Sequence, residues 1–145
     1  MTSRTTSTTL VSDGVHVELT RLVIELTFRI DAGLASTAHE LFTPDAELRI
    51  GPEPVVGSDA IKAWGEQLDQ GNQYPGIRHA VTNLRFVDEG NGRSSGTSLV
   101  TAYFVAPGDP ATTAPFAIGE DRDTFVRTDG GWRFASRTWV QLFTR

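Results

Sequence analysis

The strongest constraint in the sequence is a series of four strand-like segments that fills its second half. Asn91-Gly92 separates the first two segments and Asp129-Gly130 separates the last two, and such dipeptides are strong signals for the two-residue turns of β-hairpins. Strands joined by two-residue turns are antiparallel. We therefore predict a four-stranded antiparallel meander. Its segments are rich in β-branched and aromatic residues and span 77–89, 94–106, 115–127 and 131–143.

The first half of the sequence has helical periodicity in place of strand-like alternation. Apolar residues recur every two to four positions over 17–30, which predicts a helix that begins near Asp13 as its N-cap and ends near Gly33. Residues 1–12 lack this periodicity and are rich in Ser and Thr. We therefore expect a disordered leader, followed by a single domain over 13–145.

Two shorter helices are predicted after the first. Residues 34–42 form the second helix, which stops before Thr43-Pro44 because the residue before a proline disfavours the helical conformation. A short strand over 46–50 and a Gly/Pro-rich loop over 51–57 precede the third helix, which Ser58 caps. Helices on one face of an antiparallel sheet make an α+β fold. We expect a cone-shaped α+β barrel, in which three helices pack on a strongly curved antiparallel sheet that encloses a pocket.

The composition argues against several classes of function. The chain has no cysteine, so it has no disulfide or thiolate metal site, and its three histidines lack metal-ligand spacing. We therefore expect neither a metal nor another cofactor. A net charge of -5, with scattered arginines and a single lysine, argues against a nucleic-acid partner. No apolar run is long enough to cross a membrane and no signal peptide is recognisable, so we expect no membrane partner and a cytoplasmic protein.

Five stretches of the sequence carry a family resemblance: "RIDAG", "LFTPDAELRI", "GSDAIKAW", "GIRHAVTN" and "DTFVRTDGGWRFASR". In this order they resemble the SnoaL-like branch of the nuclear transport factor two-like superfamily, over roughly residues 13–142. The resemblance implies the cone-shaped fold and a homodimer formed through the sheet. The branch contains dehydratases, dehydrochlorinases, polyketide cyclases and proteins with no known activity, so individual site residues must carry any prediction of function.

The resemblance also implies a catalytic pair. In dehydratase and dehydrochlorinase members of the branch, a carboxylate at the end of the first helix acts with a histidine at the start of the first long strand. "RIDAG" supplies Asp31 and "RHAVTN" supplies His79 at the matching positions. A carboxylate that holds one ring nitrogen fixes the tautomer of the histidine and makes the other nitrogen more basic, so the ring accepts a proton near neutral pH.

Strand alternation adds a second carboxylate to this pair. In "GEDRDTF", Asp121, Asp123 and Phe125 lie on one face of the strand, and Arg122 lies on the other. If Phe125 faces the core, Asp121 also faces inward, and the resemblance places it at a polar pocket position. We predict that Asp121 serves as a second acid or base.

Candidates for ligand contacts surround these three groups. The resemblance places Phe104 where scytalone dehydratase has a second pocket histidine, and the adjacent Tyr103 offers a hydroxyl instead. Asn83 either contacts the ligand or satisfies backbone groups. Arg137 either binds a substrate carboxylate or oxyanion, or forms a salt bridge on the outer face of the sheet. The predicted ligand contacts are Phe28, Trp64, Asn83, Tyr103, Phe104 and Trp139.

Two functions of different classes remain open. The first is a small cofactor-independent lyase, isomerase or cyclase, in which Asp31 and His79 transfer protons on a hydrophobic, oxygenated small molecule of polycyclic or polyketide-like type. The alternative is a non-catalytic module that binds or senses an apolar metabolite, with His79 as a hydrogen-bond donor only. The distance between Asp31 and His79 discriminates between them, because a base must lie within hydrogen-bond reach of its partners.

Overall fold

The computed structural model describes residues 8–71, 73–110 and 114–143, and these residues contain three helices and six strands. The helices are α1 (Asp13–Asp31), a 3₁₀ helix (Ala35–Leu41) and α2 (Ser58–Gly71). The strands are β1 (Phe42–Arg49), β2 (Val55–Val56), β3 (Arg78–Gly90), β4 (Arg93–Tyr103), β5 (Ala117–Thr128) and β6 (Gly131–Phe143). The α+β class and the three helices are confirmed. None of the described helices is both long enough and apolar enough to span a membrane.

The strands form one sheet in the order β2-β1-β6-β5-β4-β3. Its four long strands are antiparallel neighbours, and the two predicted turns, Asn91-Gly92 and Asp129-Gly130, join them as hairpins. β1, however, runs parallel to β6. The prediction of a wholly antiparallel sheet is therefore wrong. Among the described strands, β2 and β3 are the two edges of the sheet, so the sheet does not close into a barrel.

β1 begins at Phe42, earlier than the strand predicted over 46–50. The Phe42 ring stacks on Phe134 of β6, with 5.0 Å between the ring centroids, and the two residues are register partners. Pro44, which we expected to separate helix from strand, lies where the β1–β6 register is interrupted between Phe42 and Glu47. A proline that lacks an N–H is tolerated at such an irregularity. The packing of Phe42 against β6 therefore starts the strand before Pro44, although this proline was expected to separate the helix from the strand.

α1 follows the predicted helix closely. Its cap is Ser12 and not the predicted Asp13, because the Ser12 hydroxyl accepts a hydrogen bond from the Val15 N–H at 3.3 Å. The helix ends at Asp31, shortly before Gly33 as predicted. One stripe of the helix is buried in the core and consists of Leu19, Leu22, Val23 and Leu26.

The segment before α1 is more ordered than the predicted leader. The Val11 N–H donates to the Phe86 carbonyl at 3.2 Å, and the Asp88 N–H donates to the Thr9 carbonyl at 2.8 Å. This short stretch therefore pairs with β3, and the expectation of disorder is wrong for residues 9–11. The rest of the predicted leader, residues 1–7, lies outside the described residues.

The 3₁₀ helix is held against α2 by one carboxylate and one glycine. The two oxygens of Asp69 accept hydrogen bonds from the backbone N–H groups of Ala35 at 2.9 Å and Ser36 at 2.8 Å. A Cβ at Gly65 would overlap the Ala35 carbonyl, so only glycine permits this approach. α2 begins at Ser58 itself, one residue earlier than the predicted cap implies.

Candidate active site

A cavity of about 390 Å³ lies between the helices and the inner face of the sheet. α1, α2, β1 and the four long strands all contribute to its wall, and most of the contributing side chains are apolar. A mostly apolar cavity with a few converging polar groups is the usual form of a small-molecule site. The polar side chains on its wall are Thr27, Tyr74, His79, Asp121, Arg137 and Gln141.

Asp31 and His79 are in direct contact at this cavity. Asp31 is the last residue of α1 and His79 is the second residue of β3, so the end of the helix is attached to the start of the strand. The Asp31 Oδ1 atom lies 2.5 Å from His79 Nδ1, and its Oδ2 accepts the His79 backbone N–H at 2.9 Å. Because Nδ1 bonds the carboxylate, Nε2 is the ring nitrogen left for a ligand.

A second polar cluster is built by β5 and β6. Arg137 on β6 forms a two-point ion pair with Asp123 on β5, with Nε–Oδ1 at 2.8 Å and Nη2–Oδ2 at 2.9 Å. Its third nitrogen, Nη1, lies 3.2 Å from Oδ2 of Asp121. All three side chains are buried. Asp121, Asp123 and Phe125 all face inward, so the predicted alternation along β5 is confirmed.

Burial raises the pKa of Asp121 to about 6, because the loss of hydration outweighs the attraction of Arg137, and the neighbouring Asp123 adds repulsion. Burial also lowers the pKa of Arg137, but the charges of Asp123 and Asp121 more than reverse this effect, so its pKa is raised and the guanidinium stays charged. Asp123 contacts Arg137 more closely than Asp121 does, with N–O distances of 2.8 and 3.2 Å. Asp121 therefore exchanges protons close to neutral pH despite its salt bridge.

The structure brings some of the predicted ligand contacts to the cavity and leaves others outside it. Trp64 and Trp139 line the cavity. Phe28 does not, because it is two residues beyond the buried Leu26, which is a rotation of about 200° around the helix, and it is 57% exposed. Phe104 also stays outside the wall, although its ring contacts two aromatic residues that belong to it.

Tyr103 and Asn83 point away from the cavity for separate reasons. Tyr103 follows the inward-facing Ala102 on β4, so alternation turns it outward. Asn83 has a left-handed φ of 55° and lies within a bulge of β3, between Thr82 and Arg85. The structure thus leaves Phe28, Asn83, Tyr103 and Phe104 outside the cavity wall, and their contact with a ligand stays a prediction.

Two residues of the cavity wall were not assigned to it from the sequence: the role of Arg137 was left open, and Tyr74 was not predicted. Arg137 was a candidate for an outer-face salt bridge, but a register shift after Phe134 turns it inward. Tyr74 lies in the connection between α2 and β3. Its ring contacts Phe104 and Phe116, with centroid distances of 5.4 and 5.6 Å. Tyr74 is the single Phe, Trp or Tyr residue between Trp64 and Phe86, and no local pattern in the sequence places it at the pocket.

The structure offers little support for a metal in the described parts of the chain. No cluster of three or more His, Cys, Asp or Glu side chains is placed to hold an ion among residues 8–71, 73–110 and 114–143. The two other histidines are separate from the cavity wall: His39 Nδ1 lies 3.0 Å from the Ser36 carbonyl, and His16 is exposed on α1.

Comparison with known proteins relates this architecture to one family and to several solved structures. The family model described as the SnoaL-like domain matches residues 16–138. No curated protein sequence is a significant match. A Novosphingobium aromaticivorans protein provisionally assigned as a scytalone dehydratase has a similar structure, with a TM-score of 0.77 and 22% identity over 91% of this chain and 87% of that one.

Two further structures are similar at the same level. An NTF2-like protein with a cystatin-like fold, also from Novosphingobium aromaticivorans, has a TM-score of 0.76 and 23% identity, covering 90% of this chain and 83% of that one. The hexachlorocyclohexane dehydrochlorinase LinA-type3 from Novosphingobium barchaimii has a TM-score of 0.75 and 15% identity, covering 90% of this chain and 88% of that one. At these identities the comparisons show a shared fold.

Proposed function

Because the chain belongs to the SnoaL-like domain family, we propose that it is a small enzyme that transfers protons on a hydrophobic, oxygenated small molecule of polycyclic or polyketide-like type. The reaction classes are elimination, isomerisation and cyclisation. The observation that carries the proposal is the 2.5 Å contact between Asp31 and Nδ1 of His79, whose side chain lines a mostly apolar cavity. The similar fold of a named dehydrochlorinase supports a reaction of this type.

In the proposed mechanism, His79 Nε2 removes a proton from carbon or oxygen of the substrate. Asp31 holds the ring in one tautomer and matches the positive charge that the ring gains. In an elimination, the electron pair of the broken C–H bond forms the double bond, and the leaving group departs with its own bonding pair. In an isomerisation, the proton returns at a second position.

Asp121 has the properties of the second acid or base. It lines the same cavity as His79, and its pKa of about 6 leaves both protonation states accessible near neutral pH. In this role it protonates the leaving group or reprotonates the substrate. The chain's own side chains thus supply both proton-transfer groups, which is consistent with a cofactor-independent reaction.

The alternative function is non-catalytic binding of an apolar metabolite, and the predominantly apolar cavity wall favours it. The two functions predict different behaviour of a simple carbon acid. A catalytic dyad accelerates proton exchange at carbon, whereas a binding module leaves the exchange rate at its solvent background.

The test is hydrogen–deuterium exchange at the carbon next to the carbonyl of tetralone, a bicyclic aromatic ketone, followed by NMR in deuterated buffer. We expect wild-type protein to accelerate exchange, and His79→Ala and Asp31→Asn to lose about 10²-fold or more of that acceleration. His39→Ala is the matched control, because this histidine lies away from the cavity wall. Equal rates in wild type, His79→Ala and Asp31→Asn would contradict the proposed chemistry.

A homodimer through the outer face of the sheet is also part of the proposal. Multi-angle light scattering at micromolar concentration measures the molar mass directly. A mass of twice 15.8 kDa is expected.

A further inference from the structure

All three nitrogens of the Arg137 guanidinium contact the two carboxylates beside it. Nε and Nη2 bond both oxygens of Asp123, and Nη1 faces Asp121. The guanidinium also lies over the Phe134 ring, 4.9 Å from its centroid. These contacts use three of the five N–H groups of the guanidinium, so a ligand carboxylate would meet Arg137 only beside two negatively charged side chains.

The charges on the cavity wall leave no positive excess for an anion. Arg137 contributes one positive charge, against the negative charges of Asp121 and Asp123. His79 also lines the wall, and any positive charge on its ring is matched by the Asp31 carboxylate that contacts Nδ1. No other lysine, arginine or histidine lines the cavity in the part of the chain that the structure describes.

We propose that the cavity accepts uncharged ligands that carry a carbonyl or hydroxyl group and rejects carboxylates, and that Asp121 is the residue that sets this preference. The inference rests on the proposed function, since it concerns the ligand of the same site. A carboxylate that reached Arg137 would lie beside the carboxylates of Asp121 and Asp123 and would compete with Asp121 for Nη1. A further negative charge in this buried cluster, which already holds two carboxylates and one guanidinium, is unfavourable.

Removing the charge of Asp121 is expected to remove the preference for uncharged ligands. In Asp121→Asn, the side chain keeps its size but loses its charge, so Arg137 regains part of its positive field toward the cavity. Glu120→Gln is the matched control. It removes one negative charge from the adjacent residue of β5, where Glu120 pairs with the exposed Arg122 at 2.8 Å on the opposite face of the strand.

The experiment uses two probes of nearly the same shape, naphthamide and naphthoate, in ligand-observed NMR titrations with the full chain at neutral pH. We expect wild type and Glu120→Gln to bind naphthamide at least about tenfold more tightly than naphthoate. We expect Asp121→Asn to gain at least about tenfold in naphthoate affinity. Equal binding of the two probes by wild type, an unchanged preference in Asp121→Asn, or no binding of either probe would overturn the inference.

The titration needs no turnover, so its outcome is separate from that of the proposed chemistry. In His79→Ala, which removes the proposed base, we expect the preference for naphthamide to persist. If His79→Ala loses the acceleration of tetralone exchange and keeps the preference for naphthamide, both proposals are supported. Equal exchange rates in His79→Ala and wild type, with a retained preference, would contradict the chemistry alone.

Discussion

The Asp31 carboxylate bonds both the ring and the backbone of His79. Its Oδ1 lies 2.5 Å from Nδ1 of the ring, and its Oδ2 accepts the backbone N–H at 2.9 Å. One side chain therefore orients the proposed base and also fixes the start of β3 to the end of α1. Arg78 adds a hydrogen bond from its Nη1 to the Asp31 carbonyl at 3.2 Å.

This double contact predicts different stabilities for two substitutions of Asp31. Asp31→Asn keeps an oxygen for the His79 N–H, whereas Asp31→Ala leaves that partly buried donor without its acceptor. We expect Asp31→Ala to lower the free energy of unfolding by about 1–3 kcal/mol, and Asp31→Asn to lower it by less. Urea denaturation measures both. Equal losses in the two variants would show that the backbone hydrogen bond contributes little.

Local patterns in the sequence were sufficient to predict most of the fold, whereas the pairing of Asp31 with His79 was implied by the family resemblance. Three predicted features depend only on residues that are neighbours in the chain. They are the end of the helix at Asp31, the two hairpin turns, and the position of Asp121 and Asp123 on one face of β5. The parallel pairing of β1 with β6 was not predictable in this way, because it depends on the contact of Phe42 with Phe134, which are far apart in the chain.

Bulges explain where the structure places Asn83 and Arg137. Alternation from His79 places Asn83 on the inner face, but the bulge between Thr82 and Arg85 turns Asn83 outward and brings Phe86 inward. The register shift in β6 similarly turns Arg137 inward. A bulge adds one residue to one strand and reverses the facing of all later positions. Its position depends on the partner strands, so strict alternation does not reveal it.

The raised pKa of Asp121 predicts a stability difference that depends on pH. Burial raises this pKa from 3.8 to about 6. A carboxyl with a higher pKa in the folded than in the unfolded chain stabilises the fold while it is protonated, and this contribution is lost as the pH rises from about 4 through about 6. Asp121→Asn is neutral at every pH. At neutral pH we therefore expect the variant to be more stable than wild type by about 1–3 kcal/mol.

Thermal denaturation at a series of pH values tests this prediction. The advantage of Asp121→Asn is expected to decline as the pH falls through 6 and to be small near pH 4, where the wild-type side chain is protonated in both states. Glu120→Gln, on the outer face of β5, is the control and is expected to show little pH-dependent difference. A variant less stable than wild type at neutral pH would mean that the ion pair with Arg137 outweighs the cost of burial.

Gly119 is predicted to determine where Trp139 lies in the cavity wall. A Cβ at Gly119 would lie 2.5 Å from Cζ2 and Cη2 of the Trp139 ring, and 2.5 Å from the Val140 carbonyl oxygen. Gly119→Ala must displace the ring, the strand or both. We expect a loss of about 1–3 kcal/mol in the free energy of unfolding, with weaker naphthamide binding.

The control for this substitution is Gly14→Ala, since a Cβ at Gly14 meets nothing within 4 Å and the residue lies in the first turn of α1. Added helix propensity is expected to stabilise that variant by up to about 1 kcal/mol. Urea denaturation compares the two. If Gly119→Ala were as stable as wild type and bound naphthamide equally well, the ring of Trp139 would have room to move without consequence.

Two buried serines on the inner face of β4 differ in their hydrogen bonding. The Ser94 hydroxyl donates to the Val87 carbonyl at 2.8 Å, whereas the Ser98 hydroxyl, opposite Asp121 in the register, has no partner within the described residues. Removing a buried hydrogen bond costs about 0.5–1.5 kcal/mol, while a buried hydroxyl without a partner is itself destabilising. We expect Ser94→Ala to lose stability by about that amount and Ser98→Ala to equal or exceed wild type in stability.

Urea denaturation of both alanine variants, on the same strand and with the same atoms removed, makes the comparison direct. Equal losses would mean that the Ser98 hydroxyl has a hydrogen-bond partner in solution, and its position beside Asp121 would then make it a candidate member of the polar cluster.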